Sequence, residues 1–192
     1  MIKRLLILLL LACSSPATAL ELTVAQVAGL DGGKVYQIAS NGEVKAAPAV
    51  VWRILADYER MPDYVPNLKS ARVVSRNGDK VIVEQLGAAR FLFFNHNIRL
   101  VVQVHEQAPN KFDVSLIDGD MKVYRCSWEL VPLPYGGTRL LYTAAIMPKF
   151  YVPAILEARL IRNDIATMMA AVLARLDRDV ASADVPSVTR AR

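Results

Sequence analysis

The sequence predicts an α+β domain in which a curved antiparallel sheet, two short helices and a long C-terminal helix enclose one core. Three observations predict it. From Ala71 to Ile146, apolar and polar residues alternate with period two in runs broken by short turn signals, the pattern of an antiparallel meander. From Val152 to Asp177 the period becomes helical, with Ile161, Ile165, Met168, Val172 and Leu176 on one stripe. Ahead of the meander, Pro48, Pro62 and Pro66 cut the chain into short helical pieces rather than one rod.

The elements follow in order. Met1 to Ala19 reads as a secretory signal: Lys3 and Arg4 are the charged start, Leu5 to Ala12 the apolar stretch, and Ala17-Thr18-Ala19 a small-x-small cleavage site. The apolar stretch is too short for a bilayer, which needs about twenty residues. A lipoprotein signal with Cys13 as the lipidated residue is the alternative. Leu22 to Val27 is a short strand or an ordered lead-in, and Asp31-Gly32-Gly33 is a turn. Val35 to Ala46 is the first strand of the main domain, interrupted at Asn41-Gly42 by a bulge or a tight hairpin. The bulge is favoured, because the strand must run on to Pro48.

A helix over Val50 to Leu55 follows, with Pro48 in the first turn, where its missing N–H has no partner to lose. Asp57-Tyr58 is placed to cap or orient a second short helix. Strands at Ala71 to Ser75 and Val81 to Leu86 flank the hairpin signal Asn77-Gly78. A long strand, Phe91 to Glu106, then turns at Ala108-Pro109-Asn110 into Phe112 to Ile117. Asp118-Gly119 leads to Lys122 to Val131, and Pro134 to Gly137 leads to Arg139 to Ile146. The final helix has Pro153 in its first turn, and from Ala181 the chain reads as a frayed tail. The organisation is therefore signal 1–19, lead-in 20–32, one domain 33–178 and tail 179–192, with no internal repeat.

Period two also assigns faces. Phe112, Val114 and Leu116 share a parity, as do Tyr124, Cys126, Trp128 and Leu130, and Leu140, Tyr142, Ala144 and Ile146. These point toward the helix. Lys111, Asp113, Ser115, Arg125, Ser127, Glu129, Arg139 and Thr143 point away. The inward set is rich in aromatics with polar tips, and a curved sheet gripping one helix leaves a gap that such side chains line.

Composition narrows the function classes. The 192 residues are 54% hydrophobic with a formal charge of +5, which drops by two when Lys3 and Arg4 leave with the signal. There is no basic run with interleaved aromatics, so nucleic acid is not an expected partner. Cys126 is the only cysteine beyond Cys13, lies between Tyr124 and Trp128, and reads as a buried small hydrophobe. His96 is inward and His105 outward by parity, and neither has a partner at metal-ligand spacing. No phosphate loop, nucleophile elbow, paired-cysteine site or dinucleotide fingerprint is present. No catalytic residue, metal or cofactor is assigned.

Pro48, Trp52, Leu55, Asp57-Tyr58-Glu59-Arg60, Pro62, Tyr64-Val65-Pro66 and Ser70 form a recognisable stretch. It is joined downstream by Gly119-Asp120-Met121, Trp128-Glu129-Leu130, Gly136-Gly137-Thr138 ahead of Tyr142, and Leu160-Ile161-Arg162-Asn163-Asp164. Together, over roughly Gly33 to Arg178, they resemble the helix-grip superfamily, with its START-type lipid-transfer, polyketide cyclase/dehydrase-like and coenzyme Q-binding members. The likeness is greatest to secreted bacterial members of the cyclase/dehydrase-like group. The resemblance implies a START/Bet v 1-like fold with an apolar cavity under the last helix. It implies binding or transport of a hydrophobic small molecule of lipid, isoprenoid or quinone type, here in the periplasm. Tyr64, Phe112, Tyr124, Trp128, Tyr142, Met147, Ile161 and Met168 are the expected ligand-binding residues. Tyr64-Val65-Pro66 and Met147 to Pro153 border the cavity entrance, where transient membrane contact is expected. The alternatives are an aromatic cyclase/dehydratase-like enzyme, with His96, Tyr124 and Tyr142 as its acid–base groups, and an envelope accessory protein with a filled core.

Overall fold

The computed structural model describes residues 20–29, 32–91, 94–151 and 154–183. The signal segment, Cys13, Val152, Pro153 and the tail beyond 183 lie outside them. The described residues form eight strands: β1 (Glu21–Ala28), β2 (Lys34–Val44), β3 (Leu68–Asn77), β4 (Lys80–Phe91), β5 (Phe94–Gln107), β6 (Lys111–Gly119), β7 (Met121–Pro132) and β8 (Thr138–Pro148). Two α-helices, α1 (Pro48–Leu55) and α2 (Ala154–Ala183), and a 3₁₀ helix at Tyr58–Asp63 complete the fold. All strands join one antiparallel sheet in the order β1-β2-β8-β7-β6-β5-β4-β3.

Short loops make the meander from β3 to β8 antiparallel, and α1 with the 3₁₀ helix carries the chain from β2 across to the far edge, where β3 begins. Register shifts at Leu68/Ser70 and Val73/Ser75, at Val101/Val102 and at Met121/Val123 bend the sheet. β6 and β7 pair only over Lys111–Ser115 and Arg125–Glu129. Beyond that they part, β6 following β5 to Gly119 and β7 following β8 to Met121. The turn between them needs glycine: Gly119 has φ +131°, and a Cβ there would lie 2.2 Å from the Arg99 carbonyl oxygen.

The helices rest on separate strands. α2 packs closest on β1 and β2, α1 on β7, and the 3₁₀ helix on β3. Met169, Val172 and Leu176 of α2 are fully buried. Trp52 of α1 stacks on Phe112 at 4.0 Å between ring centroids. Buried Thr138 donates its hydroxyl to the Ala46 carbonyl at 2.7 Å, tying β8 to the start of α1. The space over the middle of the concave face is left to side chains.

Two sequence expectations are corrected, and two left open are resolved. β2 runs unbroken through Asn41-Gly42, in register with both β1 and β8. Gly42 serves packing rather than a turn or bulge: a Cβ would sit 2.6 Å from a Leu173 methyl of α2. Of the two readings for Leu22 to Val27 the strand holds: it lies in β1, an edge strand whose Glu21 and Leu22 carbonyls accept hydrogen bonds from Ser40 Oγ at 2.8 Å and Arg162 at 3.1 Å. β4 continues past Leu86 to Phe91 and pairs Phe91 with Phe94, so the expected long strand is divided between the end of β4 and β5, which begins at Phe94. Asp57 makes no side-chain capping bond to the 3₁₀ helix, and it is Tyr58 that orients it, through Glu106.

Candidate functional site

Parity along the strands places the inward set as expected. Val114 pairs with Cys126 across β6–β7, Trp128 with Tyr142 and Cys126 with Ala144 across β7–β8. With β4 and β5 these residues floor a cavity of about 140 Å³. Leu55, Tyr58, Met61 and Val65 cover it, and Met168 and Val172 of α2 wall one side. A second cavity of about 100 Å³ lies further along α2, between Ile98, Met121, Ile146 and Phe150 of the sheet end and Leu160, Ile161 and Ile165 of the helix. A larger depression of about 600 Å³ lies on the opposite, convex face over Thr23, Ala39, Ser127 and Thr143. It is an open trough, lined also by Gln37, Asp113 and Arg125, and is less enclosed than the interior cavities, which are the candidate site.

None of the described residues lining the first cavity carries a charge. Its polar groups are few and specific. The Tyr124 and Tyr142 hydroxyls meet the Cys126 thiol. Burial pushes the thiol up to about 12. The neighbouring thiol and burial raise Tyr124, and burial with the same thiol raises Tyr142. All three groups therefore stay protonated and neutral at physiological pH, and Cys126 is not a thiolate nucleophile. Gln85 of β4 also lines the cavity, and its amide has no hydrogen-bond partner among the described residues. Trp128 leans on Tyr142 at 4.6 Å.

At the covering end, the Tyr58 hydroxyl donates to Glu106 Oε1 at 2.7 Å, and Arg76 donates to Glu106 Oε2 at 2.7 Å. This pins the 3₁₀ helix to β5. At the other end, Asp164 borders the second cavity and its carboxyl is raised by desolvation.

Of the eight expected ligand-binding residues, Phe112, Tyr124, Trp128, Tyr142 and Met168 line the first cavity and Ile161 the second. Two lie elsewhere. β8 runs to Pro148 with strict alternation, so inward Ile146 puts Met147 on the other face, packed with Val35 and Ala145. Tyr64 ends the 3₁₀ helix and turns to an outer depression, its ring 5.9 Å beneath the Arg175 guanidinium. His96 is exposed and packs on Phe150 at 4.4 Å, away from the two tyrosines, while His105 Nε2 meets Asp79 at 2.8 Å. Sequence reasoning missed Gln85. Its parity with Val81 and Val83, both fully buried, was the available signal. Among the described residues no three His, Cys, Asp or Glu side chains converge to hold a metal ion.

The family model described as polyketide cyclase/dehydrase and lipid transport matches residues 44–173. The chain belongs to that family. The matched span runs from the end of β2 into α2. Solved structures share the fold at low identity. An aromatase/cyclase from Streptomyces sp. R1128 is 14% identical with a TM-score of 0.66, covering 78% of this chain and 98% of its own. A START superfamily protein from Mycobacterium smegmatis is 18% identical with a TM-score of 0.64, covering 74% and 97%. A STAR-related lipid transfer protein from Xanthomonas axonopodis is 16% identical with a TM-score of 0.61, covering 80% and 98%. The helix-grip architecture, a curved antiparallel sheet with short helices and a long C-terminal helix, is common to them and to this member of the family. No curated protein matches the sequence.

Proposed function

We propose that the protein is a non-enzymatic carrier that holds a hydrophobic small molecule of lipid, isoprenoid or quinone type between the sheet and α2. The observation that carries this reading is the first cavity: partly enclosed, aromatic and apolar, with neutral hydrogen-bonding groups and no charged residue among its described lining. Burial of an apolar ligand there contributes roughly 25 cal/mol per Å² removed from water. A cyclase or dehydratase needs an acid–base pair beside its substrate. The cavity offers only protonated tyrosines and a protonated thiol, while His96 stands outside it.

Two likenesses support the carrier: the family's description names lipid transport beside cyclase/dehydrase activity, and one similar solved structure is a STAR-related lipid transfer protein. The segment Met1–Ala19 supports export to the periplasm, and N-terminal sequencing of the mature protein starting at Leu20 is the expected result. Lipid-modified Cys13 as the first residue would instead make it an anchored protein.

Titration with an apolar fluorescent probe tests the carrier. The wild type is expected to bind, and Val114→Phe, which adds volume inside the cavity, is expected to weaken binding while the protein stays folded. No binding by the folded wild type would refute the carrier.

A further inference from the structure

We infer that the ligand is bipartite: an uncharged, hydrogen-bonding single-ring head seated by Gln85, Tyr124 and Tyr142, with an apolar chain running beside α2 into the second cavity. The inference rests on the carrier reading and names the chemical class it would carry.

Size limits the head. A cavity of about 140 Å³ is close to the engineered apolar cavity of about 150 Å³ that accepts benzene. One ring fits and a fused polycycle does not. Its walls, Phe112, Trp128 and the two tyrosines, offer aromatic faces to that ring. Gln85 decides the polar chemistry. It is half-buried on the cavity wall, which Leu68, Val102 and Val104 share, and its amide has no partner among the described residues, so it has both a donor and an acceptor to give to a ligand's polar group.

Charge excludes the common alternatives. A carboxylate or phosphate buried without a cation is strongly disfavoured. No Lys or Arg lines either cavity among the described residues, and the charged groups bordering the second are the acids Glu157 and Asp164. An anionic head is opposed in both chambers.

The chain follows from the arrangement in series. Met168 and Val172 line the first cavity, and Ile161 and Ile165 the second, all on one stripe of α2. Ile161 to Val172 spans about 16 Å at 1.5 Å per residue. Tyr124, lining the first cavity, and Ile146, lining the second, are cross-strand partners, so the chambers meet across a single pair. Met168 on one side and Met121 on the other are unbranched and repack readily around an inserted chain.

The test uses the mature protein with three probes: 4-methoxyphenol, 4-decyloxyphenol and decanoate, followed by calorimetry. The long phenol is expected to bind about tenfold or more tightly than the short one, through its buried methylenes. Ile161→Trp is expected to remove most of that advantage and leave the short phenol unchanged, with Leu160→Trp as the substitute if Ile161→Trp does not fold. Gln85→Leu is expected to weaken both phenols by about fivefold, the loss of one hydrogen bond. Decanoate binding as tightly as the long phenol would overturn the uncharged head. Equal affinity for the two phenols, or indifference to both tryptophan substitutions, would overturn the two-chamber chain. In each of these outcomes the carrier reading survives. If neither the phenols nor the fluorescent probe binds the folded protein, the carrier reading itself fails, and this inference with it.

Discussion

Trp128→Ala probes the seam between sheet and cavity most directly. Trp128 keeps only 9% of its surface accessible and packs on Tyr142 at 4.6 Å. Truncating a buried Phe or Trp to Ala costs about 3–5 kcal/mol, and an aromatic pair contributes about 0.5–1.5 kcal/mol beyond its buried area. One edge of the indole borders a cavity that already exists, so fewer packing contacts are lost than in a solid core. The two effects offset, and the expected cost is about 4 kcal/mol. At this chain length that lowers Tm by roughly 8–16 °C. Far-UV circular dichroism in urea and on heating measures it without relying on the lost indole, and an unchanged m-value would confirm that the unfolded state is not the cause. Trp128→Phe, which keeps the stack on Tyr142, should recover more than half of the loss. A cost below about 1 kcal/mol for Trp128→Ala would refute the seam, since only a residue with little native packing behaves that way.

Further outcomes follow from other contacts. Gly119→Ala should be severely destabilising, seen as low soluble yield and a Tm loss larger than that of Gly78→Ala, because Gly78 also has positive φ but open space where a Cβ would go. Tyr58→Phe should cost about 1.5–3 kcal/mol in urea unfolding, the value of a hydrogen bond to a charged group, because Glu106 then keeps only Arg76. Asp164→Asn should raise Tm at pH 7. The native carboxyl is held above its ordinary value, so the native state binds the proton more tightly than the unfolded state does. Stability is then greatest below the unfolded pKa of about 3.9 and falls as pH rises through the native value, and the advantage of Asn should vanish in acid. Cys126 should resist a thiol reagent at pH 8 until the protein is unfolded, since its native thiol lies at about 12.

Much of the site was legible because strand periodicity is a local property. Every residue assigned inward on β6, β7 and β8 from Phe112 to Ile146 shares the concave face, since regular alternation survives sheet curvature. What failed depended on distant residues. Asn41-Gly42 carries a hairpin signal, but the glycine answers to Leu173 on the last helix, a contact no window of sequence contains. β4 was cut short at Leu86 because Gly87 weakens a strand pattern. There a Cβ would come within 2.9 Å of the Asn67 carbonyl, the same carbonyl that accepts the Ala88 N–H at 2.9 Å. Met147 was read as loop, and one further pair of strand residues was enough to send it to the other face. Gln85 was passed over because a lone amide in a strand reads as surface, and only its shared face with buried Val81 and Val83 brings it to the cavity wall.

The position of α2 connects these particulars to function. Leu173 can lie close over β2 only because Gly42 has no side chain, and Leu22 and Val24 on β1 extend the apolar surface beneath the helix. The helix therefore settles over the β1–β2 side of the sheet. Its other flank, Met168 and Val172, overhangs the strands that carry Tyr124, Trp128 and Phe112 without closing onto them. β1, the edge strand beside β2, widens this platform. If the platform sets the gap, enlarging residue 42 should act on binding before it acts on the fold. A methyl at Gly42 meets the flexible end of Leu173 rather than backbone, so the helix can yield by a small shift. Gly42→Ala should then change probe affinity measurably while costing less stability than Trp128→Ala, whereas a stability loss with unchanged affinity would mean that the helix position and the cavity are set independently.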